Sequence, residues 1–107
     1  MQVLLLGRDV EQAAVRIEIL KIISNEQAMQ ILECSMDTPK SAHEINAACN
    51  IPLTQVYRWI RKLHTLGFVK ISGATNNSGK KYFMYKSKVK TVKVTLDAVP
   101  GPVIEVS

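Results

Sequence analysis

Arg58, Arg61 and Lys62 stand beside Tyr57 and Trp59 in the stretch IPLTQVYRWIRKLHTLGFVKI (51–71), which contains no acidic residue. Guanidinium and ammonium groups interleaved with aromatic rings suit phosphate oxygens and base edges, so the chemistry these residues offer is recognition of a polyanion. The asymmetry extends beyond this stretch. Residues 1–50 carry four Lys/Arg against seven Asp/Glu, residues 51–93 carry ten Lys/Arg and no acid, and residues 94–107 carry two acids and no base. All six aromatic residues lie within 57–85. Segregation of this kind makes a local positive field that a net charge of +5 understates. The alternative is a solvated basic face with no partner.

Catalytic chemistry finds little support. The chain has no phosphate-binding glycine loop, dinucleotide fingerprint, zinc-protease motif or nucleophile elbow, and Asp37 and Glu44 read as capping residues rather than a catalytic pair. No enzyme is expected. Cys34 and Cys49 form no CxxC pair, and with His43 and His64 they show no metal-ligand spacing, so neither a metal nor another cofactor is expected. VLLL at 3–6 is too short for a signal segment, and no apolar run nears the ~18–20 residues that span a membrane, which points to a cytosolic protein without a membrane partner. No small-molecule effector is evident.

The elements that would position the basic residues follow from periodicity and caps. At 107 residues the chain reads as one domain, with an N-terminal helical segment (1–23), a helical core (24–66), a hairpin (68–88) and a C-terminal β-hairpin (89–107). Asp9 with Gln12 forms a capping-box pattern, and Val10, Ala13, Ala14, Ile17, Leu20 and Ile23 recur at helical spacing, which predicts a helix over about 9–23. Ser24 with Gln27 predicts a second helix, about 25–36, with Ala28, Ile31, Leu32 and Ser35 inward; Pro39 ends this region. Ser41 with Glu44 opens a short helix, about 42–49, with Ala42, Ile45, Ala48 and Cys49 able to face inward. Asn50 tolerates left-handed geometry, Pro52 suits a helix start, and Gly67 stops the helix that runs over about 53–66. Beyond Gly67 the period changes to two, predicting strands at 68–72 and 81–86 around a polar tip, GATNNSG (73–79). A further strand over 89–97 and VIEVS would close a second hairpin after the AVPGP turn.

This order is that of an α+β winged helix-turn-helix: a three- to four-helix core with a helix-turn-helix at 41–66, a β-hairpin wing and a C-terminal β-hairpin. SNEQAMQILECS, SAHEINAACNIP, TQVYRWIRKLHTLGFVKIS and the Gly/Asn/Lys hairpin after them resemble the bacterial and archaeal ArsR-like winged-helix transcription regulators, archaeal ones more than bacterial. The last helix of that pattern is matched by Thr54, Val56, Ile60, Leu63, Gly67 and Phe68-Val69, and the likeness covers roughly residues 20–88. It implies transcription regulation by sequence-specific binding of double-stranded DNA, as a homodimer. Metal-sensing members carry a Cys-x-Val-Cys pair where SAHEINAAC has only His43 and Cys49, so metal sensing is not expected. A long C-terminal dimerisation helix, common in the family, is replaced here by a β-hairpin pattern.

Independently of the family, turning the fourth helix by about 100° per residue separates two faces. Val56, Ile60 and Leu63 define the core stripe. Thr54, Arg58, Arg61 and Thr65 lie opposite, with Tyr57 and Lys62 at the edges. N-terminal residues of a recognition helix usually read bases, so Thr54, Gln55 and Arg58 are candidate readers with Tyr57 as a further contact, and Arg61 and Lys62 candidate phosphate contacts. Lys40 and Ser41 at the start of the short helix, and Asn76, Asn77, Lys80 and Lys81 in the hairpin, complete the expected interface. Lys86, Lys88, Lys90 and Lys93 either extend it or protect an edge strand. Trp59 falls at the margin of the stripe and is expected to be half-buried. A second class of function, a protein-interaction module within a transcription or RNA-processing assembly, uses the same fold, often without a basic face.

Overall fold

The computed structural model describes residues 8–9, 13–96 and 103–107. The protein is α+β. Its described elements are β1 (Arg8–Asp9), α1 (Ala13–Ile23), α2 (Glu26–Cys34), α3 (Ala42–Cys49), α4 (Leu53–Thr65), β2 (Val69–Thr75), β3 (Lys81–Ser87), β4 (Val92–Thr95) and β5 (Val103–Val106). β2 and β3 form an antiparallel hairpin, and β1, β5 and β4 form an antiparallel sheet in that order.

One hydrophobic core joins these elements. Ile19 and Ile22 of α1, Ala28, Ile31 and Leu32 of α2, Ala42 and Ile45 of α3, and Val56, Ile60 and Leu63 of α4 are buried together with Phe68, Tyr85, Ile104 and Val106. The expected core stripes of α2 and α4 are therefore correct, Ser35 included: it is fully buried, and its hydroxyl donates back to Ile31 O at 2.8 Å.

Local chemistry explains the helix ends. Ser41 Oγ accepts from Glu44 N at 3.1 Å while Glu44 Oε1 accepts from Ser41 N at 2.9 Å, the reciprocal box that starts α3. Asn50 ends α3 in the left-handed region, φ 55°. Asn46 Nδ2 donates to Ile51 O at 2.6 Å and braces the turn into α4. At the far end of α4, Gly67 has φ 77°, Phe68 N donates to Leu63 O at 2.8 Å and Gly67 N to His64 O at 2.9 Å. This is the double hydrogen bond that closes a helix on a left-handed residue, with Leu63 and Phe68 buried against it.

Three expectations need correction. Asp9 pairs with Glu105 in β1 and the described helix begins at Ala13, so the expected Asp9–Gln12 cap reaches outside the described residues. Val10 and Gln12 lie outside the described residues, as do VLLL (3–6) and AVPGP (98–102). In α1 the inward residues are Ile19 and Ile22, with Val15 and Ile23 packed beside them, whereas Ile17 and Leu20 are exposed. A helix reading AAVRIEILKII has apolar residues on nearly every side, so periodicity alone did not choose the face. α2 is capped by Asn25, whose side chain accepts from Ala28 N at 3.0 Å, while Ser24 Oγ donates to Lys21 O. Finally, Ala48 of α3 points to solvent.

The strands are shifted relative to the expected ones. β2 runs through Gly73 to Thr75, so the tip shrinks to 76–80, and β4 begins only at Val92. Before it, Lys90 N and Thr91 N both donate to Ser107 O, at 2.7 and 2.8 Å, which bends the chain into the sheet. Among the described residues no helix is long and apolar enough to cross a membrane.

Candidate nucleic-acid interface

The candidate interface lies where the β2–β3 hairpin meets the helices. Lys40 and Tyr85 exchange backbone hydrogen bonds, Lys40 N to Tyr85 O at 2.9 Å and Tyr85 N to Lys40 O at 2.8 Å, so the hairpin is stitched to the segment that enters α3. Ser87 N donates to Ser35 O and Lys88 N to Phe68 O, fixing the base of the hairpin against α2 and the end of α4. Between hairpin and helices lies an open groove of about 530 Å³, lined by Ser41, Ala42 and His43 of the α3 entry, Tyr57 of α4, and Asn76, Lys80, Lys81, Tyr82, Phe83 and Tyr85 of the hairpin. Its lining is aromatic and cationic and contains no acid. Tyr85 forms the floor. Burial raises its hydroxyl pKa, and the Tyr57 phenol adds to the shift.

Five expected site residues therefore meet in one groove: Ser41, Tyr57, Asn76, Lys80 and Lys81. Thr54 and Arg58 are exposed on α4 outside its lining, and Gln55 is half-buried. No side chain caps the start of α4, where Pro52 stands, and the Gln55 amide beside Thr54 donates to Pro52 O at 2.9 Å. Arg61 and Lys62 line a different hollow, of about 240 Å³, together with Glu18 and Ile22 of α1, and Glu18 tempers the positive field there. Lys62 Nζ sits 5.1 Å from the centre of the Trp59 ring. Trp59 is half-buried, as expected, and its indole N–H donates to Gln27 Oε1 at 3.0 Å. Gln27 thus anchors α4 to α2 rather than capping α2.

The Lys40 ammonium donates to Thr38 Oγ1, and the first-turn chemistry of α3 is shared with Glu44, whose carboxylate stands at the helix start. Both features weaken Lys40 and Ser41 as phosphate contacts. At the hairpin tip Asn76 also has a structural role. Its Oδ1 accepts from Ser78 N, Ser78 Oγ and Lys80 N at 2.9–3.0 Å, so it shapes the turn, and Gly79 takes φ 80° to complete it. Asn77 remains exposed at the tip. Lys86 faces the body of the protein and donates to Met36 O at 2.8 Å, and Lys93 on the edge strand β4 lies directly opposite Glu105. Lys88 and Lys90 are exposed.

Phe83, Tyr82 and His43 were not among the expected interface residues. The signal for Phe83 was present, because Lys81, Phe83 and Tyr85 alternate along one face of β3. On the opposite side of α3, Cys34 and Cys49 line a shallow cleft with Gln30, Glu33 and Ala48, and Cys49 Sγ contacts Gln30 O at 3.7 Å. Burial, followed by the neighbouring Cys34 thiol and Glu33, pushes the Cys49 thiol up to about 11. Among the described residues no three His, Cys, Asp or Glu side chains gather where they could hold a metal ion.

Compared with protein-family models, curated proteins and solved structures, the chain matches none.

Proposed function

We propose that this protein binds double-stranded DNA in a sequence-specific manner as a winged helix-turn-helix regulator of the ArsR-like kind. α3 and α4 are the helix-turn-helix, α4 enters the major groove, and the β2–β3 hairpin is the wing. The observation that carries this reading is the groove between α4 and the hairpin. It brings Tyr57 together with Lys80 and Lys81 without an acid in its lining, and Arg58 stands exposed on the same helix. The backbone pairing of Lys40 with Tyr85 supports it further, because it orients the hairpin relative to α3 and so relative to the reading helix.

In this reading Thr54, Gln55 and Arg58 meet base edges, and Lys80 and Lys81 meet phosphates. Arg61 and Lys62 flank the duplex on the side of α1. The exposed Ile17 and Leu20 of α1 favour a homodimer, since an apolar helix face left open on one subunit is covered by another copy. Two recognition helices then reach successive major grooves, about 34–36 Å apart, on a two-fold site.

Selection of bound sequences from a random duplex pool tests this directly. An enriched two-fold sequence, bound less tightly as salt rises, is the expected result. Enrichment of nothing, together with no salt-sensitive binding at low ionic strength, overturns it and favours a protein-interaction module.

A further inference from the structure

Phe83 is the most exposed aromatic side chain among the described residues, at 64% of its full accessibility. It lies within β3, where an unpartnered ring costs stability and invites aggregation. Its cross-strand neighbour is Gly73. A phenylalanine opposite a glycine often folds over it and shields the bare backbone. That does not happen here: a Cβ built on Gly73 would meet nothing within 4 Å, so the ring stands clear of the glycine, and no crowding requires a glycine at this position. The ring is held out rather than tucked in.

The surroundings of the ring say what it is held out towards. Phe83 lines the groove of about 530 Å³ facing Tyr57, and it also lines a second hollow, of about 340 Å³, with Gly73, Ala74 and Thr75. Lys81 and Tyr82 border both. An aromatic ring therefore forms a partition with open space on either side, flanked by cations. A protein partner that covered Phe83 would have to accept a surface without any acid from residue 45 to residue 96. A nucleic acid meets all these conditions at once, with π faces for the ring and phosphates for the lysines.

Resting on the duplex-binding reading above, we infer that Phe83 is a wedge: it enters the base stack of the bound duplex and opens one step, while Lys80 and Lys81 hold the phosphates beside it. The bare flank at Gly73 leaves room for the displaced base. DNA bound in this way is bent, and easily unstacked pyrimidine–purine steps are favoured at the position of the wing, a preference exerted without hydrogen bonds to base edges.

The test uses the full chain and duplexes of the selected site that carry 2-aminopurine at successive positions, with binding followed separately by anisotropy. The wild type is expected to raise 2-aminopurine fluorescence at one step under the wing. Phe83→Ala is expected to lose that rise and bind about tenfold more weakly, the usual loss for one stacked base, with its salt slope unchanged. Phe83→Leu, which keeps an apolar wedge, should restore most of the rise. Matching thermal unfolding of the three proteins shows that the hairpin is intact. A bound wild type that raises no fluorescence at any step overturns the wedge, as does a rise that persists in Phe83→Ala. So does a wild-type dimer, free of DNA, that Phe83→Ala dissociates. If anisotropy detects no duplex binding at all, the duplex reading itself fails and the wedge falls with it.

Discussion

Trp59 of α4 donates its indole N–H to Gln27 of α2 at 3.0 Å, and this bond ties the basic helix to the body of the protein. The same ring carries the Lys62 ammonium 5.1 Å from its centre. Trp59 therefore supports α4, with one edge against the core and one face turned towards a cation.

Trp59→Phe removes the hydrogen bond and keeps most of the ring. It should lower unfolding stability by about 1 kcal/mol, the usual net worth of such a bond. Urea unfolding with an unchanged m value checks this. Duplex affinity should stay within error of the wild type at temperatures where both proteins are folded. A large loss of affinity without loss of stability would mean that the indole contacts the ligand.

Asn76 organises the hairpin tip through one oxygen that accepts three hydrogen bonds. Asn76→Ala removes them all, and the Ser78 and Lys80 amides should exchange with solvent faster in hydrogen-exchange NMR. Asn76→Asp keeps the acceptor and so the turn, yet adds a negative charge next to Lys80 and Lys81. It should protect the same amides as the wild type while binding polyanions more weakly. The two variants thus separate the geometry of the tip from its charge.

The thiol of Cys49 gives a pH-dependent prediction. Its ordinary value is 9.0, and burial with the neighbouring Cys34 raises it to about 11 in the folded protein. The folded state therefore holds this proton more tightly than the unfolded state does. Stability from this group is complete below about pH 9 and declines as pH rises from there through about 11. Because the thiolate is the nucleophile, Cys49 should alkylate slowly at pH 8 in the native protein and at the rate of a free cysteine in urea. Peptide mapping after timed iodoacetamide treatment distinguishes it from Cys34. Cys49→Ser should flatten the decline in stability above pH 9.

Much of this arrangement was legible in the sequence because local signals agreed. In α4 the stripe Val56, Ile60, Leu63 and the stop at Gly67 point to one helix with one buried face, and the Ser41–Glu44 box and Asn50 mark the ends of α3 as they stand. Where two local solutions compete, sequence does not decide: Ser24 and Asn25 are adjacent residues of capping type, and α1 is apolar around most of its circumference. The pairing of Arg8–Asp9 with β5 was beyond reach for another reason. Two residues carry no period, and their partner lies near the opposite end of the chain. The groove itself depends on the placement of the hairpin against α3, which brings Tyr57 and Phe83 to one surface from separate elements. Composition indicated that aromatic and basic residues were concentrated in one region, but not which of them would share a wall.

The division of labour between α4 and the hairpin can be measured through salt. A cation that neutralises one phosphate contributes about 0.9 to the slope of log affinity against log salt, whatever the base sequence. Lys81, exposed on the hairpin and lining the groove, should behave in this way. Lys81→Ala should weaken selected and random duplexes alike and reduce the slope by about 1. Arg58 should behave differently. Its side chain is exposed on the outward face of α4, and a guanidinium bidentate to a guanine edge is worth about 1–3 kcal/mol of discrimination. Arg58→Ala should therefore cost most on the selected site and least on random duplex, so the ratio of the two affinities falls. Arg61→Ala provides the internal comparison. Arg61 lies outside the groove in a hollow it shares with Glu18, whose carboxylate is paired with Lys21 at 3.4 Å and lowers the local positive field, so the slope should change by less than for Lys81→Ala. Titrations of the three variants on both duplexes, at several salt concentrations, separate a base reader from a phosphate contact. Equal slopes and equal ratios for Arg58→Ala and Lys81→Ala would mean that α4 does not read bases.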